Sequence, residues 1–274
     1  FHQNIDVFYN SHAEESFFEF NKHFNNPILN KIEDKNITLF KKEMFRFLSN
    51  FMYVLNMSMG TIMLVIGSFY LLFNQNIISE ILMEVNLILD VNTLPVYLLA
   101  LITVLSSMTC ITCVSISLEG LQIWISKTLP IDTFEIFLSK ILVNFIIIVV
   151  PSLLSYSIFI VLFKIDLYWL IVGLIYIVLL AMFVSMIGII INLFFPKINF
   201  DREIQVIKQS ISSFVGIFLN LFVSLGISYF LVNMLDQNYP ILTIFIGATF
   251  YLILDVCFYI WLKKYGVRRF LDIN

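Results

Sequence analysis

One carboxylate, Asp255, lies inside an apolar run with no cation in that run, and of this 274-residue chain it is the side chain best placed for chemistry within a membrane. A charge at the centre of a spanning helix costs about 2.5 to 3.5 kcal/mol on insertion scales, so such a group binds a proton or cation or pairs with a polar neighbour. Asn144, in a different run, or a serine would serve as that neighbour. No basic residue and no second acid accompanies Asp255, so structural pairing is expected ahead of ion coupling. Asn220 belongs to a ridge in which Ser212, Gly216, Asn220, Ser224 and Ser228 recur every four residues. Small residues let backbones approach, so the ridge reads as a close helix contact, including one across a two-fold or pseudo-two-fold interface, in preference to a polar substrate path.

Cys110 and Cys113 form a CxxC, but without a further cysteine or histidine nearby they read as small packing residues rather than as a redox or zinc pair. His2, His12 and His23 are scattered near the start, and no histidine follows them. Hydrolytic or acyl-transfer chemistry inside the membrane needs a histidine, a serine–histidine pair or paired acids within the runs. No catalytic residue and no metal-ligand set is therefore assigned. The phosphate cradle GxxxxGK[ST] is also absent from the sequence, so ATP hydrolysis would have to be a partner's work.

Membrane helices are the elements that must position these residues. Hydrophobic residues make up 60% of the chain, charged residues 13%, and the mean hydropathy is +0.94, far outside the range of soluble domains. Six apolar runs are long enough to cross a bilayer, near residues 51–73, 95–116, 141–163, 168–194, 211–234 and 240–262. Lipid offers the backbone no hydrogen-bond partner, and the alternation of a barrel strand is missing, so the fold class is all-α. Positive residues stay on the cytoplasmic side. Placing Lys41, Lys42 and Arg46 inside also puts Lys127, Lys140, Lys197, Arg202, Lys208, Lys263, Lys264, Arg268 and Arg269 inside, with Lys164 alone outside. Both termini are then cytoplasmic in a multi-pass protein of the cell membrane.

Residues 1–39 read as a cytoplasmic segment or linker, and 40–274 as the membrane domain. The segment carries six acids and three lysines, which accounts for the formal net charge of −3. Ser11 and Glu14 have the spacing of a capping box for a short aromatic helix. The first residue is Phe and no secretory signal is present, so the expectation is one six-helix half of something longer. In LFKKEMFRFLSN, residues 39–50, Phe40, Met44, Phe47 and the following Phe51 share one helical face, with Lys42, Arg46 and Ser49 opposite. That pattern suits a helix lying in the headgroup layer, or the collar of the first span. The loop 74–94 is acidic, with Ile77, Ile81, Val85 and Ile88 at helical spacing, as in an interfacial helix.

Two further loops carry more pattern than a connection requires. Residues 115–140, SISLEGLQIWISKTLPIDTFEIFLSK, separate the second and third runs, where about 2 to 8 residues would suffice. Ile123, Ile125 and Leu129 offer apolar contact, Trp124 an amphipathic anchor, and Glu119, Lys127 and Asp132 directional polar contacts. Gly120 and Pro130 bound a rigid, exposed knob. The fourth loop, NLFFPKINFDREIQVIKQS at 192–210, falls on the same side.

Ser117, Glu119, Gly120, Trp124, Lys127, Leu129, Pro130 and Ile131 resemble a motif of the permease subunits of type-2 ATP-binding-cassette exporters from Gram-positive bacteria. Asn192, Phe195, Pro196, Lys197, Glu203, Val206, Lys208, Gln209 and Ser210 are similar to that group's second cytoplasmic motif, and Lys42, Glu43 and Arg46 with Tyr53, Val54, Leu55 and Asn56 resemble the start of a first helix. Leu118 stands where a basic residue is expected and Phe200 where a tryptophan is expected. The resemblance covers about residues 40–274 and implies a six-helix transmembrane domain, the C-terminal half of a fused permease. It further implies a coupling helix between helices 2 and 3 that a separate cytoplasmic ATPase pushes. In that arrangement Ser117, Glu119, Gly120, Trp124, Lys127, Leu129, Pro130, Lys197, Glu203 and Lys208 form the coupling surface. The chain would bind no cofactor itself, ATP and Mg being held by the ATPase. Its partners would be that subunit, a second six-helix half or a second copy, and lipid, but no nucleic acid. A secondary ion-coupled transporter, or a non-catalytic structural subunit, is the alternative.

Overall fold

The computed structural model describes residues 35–74, 93–128, 131–233 and 239–273. The Ser11–Glu14 box, the three histidines, Leu129, Pro130 and nearly all of the 74–94 loop lie outside the described residues. The chain divides into two compact units, Phe1–Leu39 and Phe40–Asn274.

Every regular element among the described residues is helical. Helix α1 (Lys35–Ser49) is followed by α2 (Phe51–Met57) and α3 (Met59–Phe73), then α4 (Leu94–Ser107) and α5 (Thr112–Ser115). A tight helical turn, Ser117–Gln122, leads into α6 (Ile123–Thr128), and the long α7 (Thr133–Leu162) and α8 (Tyr168–Phe194) come next. The chain closes with α9 (Glu203–Gln209), α10 (Ile211–Asn233), α11 (Pro240–Trp261) and, after a wide turn, α12 (Val267–Leu271). Among the described residues five helical stretches are long and apolar enough to cross a membrane, and the bent pair α2–α3, taken as one span, makes a sixth. This is a multi-pass membrane protein.

Burial sorts the spans. The windows of α8 and of Leu94–Thr128 are mostly buried, against one third for α7, α10 and α11, and α8, which touches α4, α5, α7, α10 and α11, is the central post. Trp169, Tyr176, Ile177, Leu180, Phe183 and Val184 bury one face of it in the main core, and from Phe183 to Ile189 every residue is buried. A helix apolar all round is what a buried span requires. At 30 residues and about 1.5 Å each, α7 is about 45 Å long and overshoots a ~30 Å hydrocarbon layer. It starts eight residues before the apolar run at 141–163, because Phe137 and Lys140 already pack inside the protein.

The first run is broken, against the expectation of one span over 51–73. Helices α2 and α3 meet at Ser58 with a bend of 76°. The second run breaks beside it, between Ser107 and Thr112. Each break satisfies the other: Cys110 N–H donates to Met57 C=O at 3.0 Å, and Thr61 N–H donates to Thr109 Oγ1 at 3.1 Å. In lipid an orphaned backbone group costs several kcal/mol, so paired breaks are how two helices can turn at the same place. Asn144 of α7 completes the joint. Its Oδ1 accepts from Ile111 N–H at 2.9 Å and its Nδ2 donates to Ser185 Oγ at 2.9 Å. Asn144 therefore cannot be the partner foreseen for Asp255. Asn144→Ala is expected to lower stability by about 1 to 3 kcal/mol, the penalty of one buried N–H left bare. Thermal unfolding in detergent micelles, followed by tryptophan fluorescence, checks it.

The serine and glycine ridge of α10 also packs within the chain rather than at a two-fold surface. A Cβ added at Gly216 would lie 2.3 Å from Cys113 Sγ, and Ser228 Oγ donates to Ala100 C=O at 3.4 Å. Cys110 and Cys113 are disulfide-bonded at the joint, not merely small packing residues.

Candidate functional site

The residues singled out in the 115–140 and 192–210 loops come together at one end of the bundle. At its root is a buried charge cluster. Lys140, on the second turn of α7, reaches Glu43 Oε1 of α1 at 2.9 Å as a hydrogen bond, and Glu119 Oε1 at 2.7 Å as an ion contact without aligned geometry. Nζ also donates to Ser115 C=O at 3.2 Å. All three side chains are nearly inaccessible, at 0%, 8% and 4% exposure for Lys140, Glu43 and Glu119. Glu119 was expected as an exposed docking contact. It is instead the inner clamp of the loop, because a lysine two elements away needs a second carboxylate. Arg46 adds a bond from α1, donating to Leu118 C=O at 2.9 Å. Here Leu118 contributes its backbone, for which no basic side chain is needed.

The second tie runs through Asn192, near the end of α8. Its Oδ1 accepts from Ile116 N–H at 2.8 Å and Ser117 N–H at 3.0 Å, and its Nδ2 donates to Ser117 Oγ at 2.7 Å and Ser212 Oγ at 3.1 Å. Ser117 Oγ in turn accepts from the Lys197 backbone at 3.0 Å, so the two loops are laced together. Gly120 has φ +54, the left-handed region that glycine occupies without strain, and a Cβ there would meet the Phe200 ring at 3.0 Å. The turn needs a glycine for both reasons.

The remaining coupling candidates divide. Lys127 Nζ donates to Leu271 C=O at 3.0 Å and to Ile273 C=O, which pins α6 to the end of the described chain. Lys197 Nζ donates to Gln205 C=O at 3.3 Å, Glu203 Oε2 accepts from Asn50 Nδ2 at 2.7 Å, and Lys208 is exposed. Of the apolar contacts expected on the knob, Ile123 is buried against Phe137 and Met186 in a local core. Leu121, Trp124 and Ile125 point outward, at 76%, 62% and 43% exposure. A face with a tryptophan at its centre on a fixed helix can seat another protein.

The intramembrane candidates do not form one site with these. Asn144 is spent at the joint, as described above. Asn220 Nδ2 donates to Cys110 Sγ at 3.4 Å while its Oδ1 is left without a partner. Asp255 is buried in α11, and neither of its oxygens has a hydrogen-bond partner, so the expected structural pairing is not made. Among the described residues no cluster of His, Cys, Asp and Glu could hold a metal ion.

No protein-family profile, curated protein or solved structure matches the chain. The Glu43–Lys140–Glu119 cluster and the fourfold use of Asn192 escaped the sequence reading, though one signal was present. Lys140 stands between Ser139 and Ile141 at the edge of an apolar run, where a lysine without a carboxylate partner is rare.

Proposed function

We propose that this chain is the membrane-spanning permease subunit of an exporter driven by a separate cytoplasmic ATPase. In this reading six helices cross the bacterial cell membrane, both termini are cytoplasmic, and α6 is the coupling helix. One observation carries the proposal. The exposed Leu121–Trp124–Ile125 face stands on a turn that is tied to α1 and α7 through Lys140 and to α8 through Asn192. A push on that face therefore reaches the central post and the longest helix, α7, without first deforming a loose loop. Coupling to a bundle with two packings needs such a stiff input. The motif resemblance of both loops supports the same assignment, and a sequence without a phosphate cradle is in keeping with hydrolysis by a partner.

The test is to coexpress the chain with an ATPase encoded beside it and to measure complex formation and ATP turnover in lipid nanodiscs. Trp124→Ala should weaken the complex by about 2 kcal/mol, roughly thirtyfold, as for a central interface tryptophan, while the unfolding midpoint stays within a degree or so. Leu121→Asp should act in the same direction. Unchanged ATPase binding in both variants sinks the reading.

A secondary, ion-coupled carrier is the other reading, and the unpartnered Asp255 favours it. The paired helix breaks do not, because their freed backbone groups are consumed by each other and by Asn144 rather than left facing a substrate. Transport driven by an ion gradient without ATP would select the carrier.

A further inference from the structure

Four side chains on α10 and α11 have buried polar atoms without partners. They are Asn220 Oδ1, Ser224 Oγ, the Tyr251 hydroxyl and both oxygens of Asp255. Asn220, Ser224 and Tyr251 are 0% exposed and Asp255 8%. Ser224 lies one turn beyond Asn220, and Asp255 one turn beyond Tyr251. The Tyr251 hydroxyl lies near those of Ser224 and Tyr176, though it makes no hydrogen bond of acceptable geometry. Successive spans run in opposite directions, so the steps from Ser224 to Asn220 and from Tyr251 to Asp255 both lead toward the same membrane face. Asn220 and Asp255 thus each lie one turn toward that face from the level of Ser224 and Tyr251.

Orphaned buried polar atoms are uncommon, and each costs about 1 to 3 kcal/mol, so several on neighbouring turns of two helices mark a place where something binds. The chemistry of that ligand follows from the set. An ionised carboxylate, an amide oxygen and two hydroxyl oxygens can all accept or coordinate, and no lysine or arginine lies in either helix within the span. One carboxylate balances one positive charge. A divalent ion would leave a net charge stranded in hydrocarbon, which is prohibitively costly.

We infer that Asp255, Tyr251, Ser224 and Asn220 form an intramembrane site for a single monovalent cationic group. Two sources supply such a group: a free alkali ion, or the ammonium head of an amphiphilic amine. Beside these side chains a groove of about 510 Å³ opens between the same two helices, lined by Val223, Ile227, Phe230, Gly247, Phe250 and Ile253. It is apolar, and shaped for the hydrocarbon part of the second kind of ligand. The site rests on α10 and α11 alone and stands whether or not an ATPase drives the chain.

The experiment titrates the full chain in lipid nanodiscs with sodium chloride, methylammonium chloride or octylammonium chloride, and reads the unfolding midpoint against Asp255→Asn at matched ionic strength. A saturable rise of roughly 3 °C or more that is lost in D255N supports the site. A response to sodium assigns the alkali ion, and a response to octylammonium far below the methylammonium concentration assigns the amphiphile. Ser224→Ala, which removes one oxygen and no charge, should weaken the response about tenfold in a chain that still folds. If no probe raises the wild-type midpoint more than that of D255N, the site does not exist. The same holds if S224A and wild type titrate identically in every arm.

Discussion

Lys140→Met is expected to be the most damaging single substitution of a charged residue in this chain. The lysine is fully buried between Glu43 and Glu119, so removing it leaves two like charges facing each other without water. Breaking a buried pair in this way costs about 3 to 5 kcal/mol. Lys42 attracts Glu119 from the exposed side of α1 but is no substitute inside the cluster. Glu119→Gln should be much milder, because Lys140 keeps its hydrogen bond to Glu43. The triple variant Lys140→Met, Glu43→Gln, Glu119→Gln should recover most of the loss, since an uncharged core of similar volume is often as stable as an ion cluster. The monodisperse fraction surviving a heat step in detergent separates the three variants. Equal tolerance of Lys140→Met and Glu119→Gln would show that Lys140 is not the keystone.

That cluster illustrates which interactions were legible before any coordinates. The span over 168–194 matches α8 at both ends, because a helix apolar on every side needs no knowledge of its neighbours. The starts of α10 and α11 were equally plain, at Ile211 and Pro240. The two loops could also be recognised as structured from their composition. Their inside and outside could not. Glu119 and Trp124 lie five residues apart in one loop, yet one is sealed and the other bare. What decides between them is Lys140 and Glu43, which the chain brings in from two other elements. The same holds for Phe51, expected to share a single helix face with Phe40, Met44 and Phe47 but starting α2 instead, because Asn50 ends one helix and caps the next through its bond from Tyr53 N–H.

The break at Ser58 was illegible for a related reason. Residues 51–73 are apolar throughout, and by hydropathy a bent pair and a straight helix look alike. Ser58 and Thr61 give a weak hint, since Ser58 Oγ donates to Val54 C=O at 2.5 Å and Thr61 Oγ1 donates to Ser58 C=O at 2.9 Å, back-bonds that bend helices. The decisive partners, Thr109 and Cys110, lie about fifty residues away in sequence. A joint formed by two breaks is a property of a pair of helices, so neither run announces it alone.

Gly60→Ala tests that joint and is the second large effect expected. Gly60 follows the break by two residues, and a Cβ built on it would fall 1.9 Å from Leu105 C=O and 3.0 Å from Met108 Cβ. The first obstacle is backbone, so no rotamer change relieves it. Either α3 must move off α4 or the carbonyl must turn, and both disturb the bonds from Cys110 to Met57 and from Thr61 to Thr109. Overpacking a dense core costs about 1 to 3 kcal/mol where side chains can yield; here about 3 kcal/mol or more is expected. Gly67, two turns along the same helix, has nothing within 4 Å of its added Cβ. Gly67→Ala should therefore leave stability unchanged or raise it by up to about 1 kcal/mol through helix propensity. The comparison holds the chemistry of the substitution, the helix and the membrane constant, so the difference in unfolding midpoint reports the contact alone. If the two variants melt together, α3 and α4 do not meet at Gly60, and the paired-break geometry is wrong.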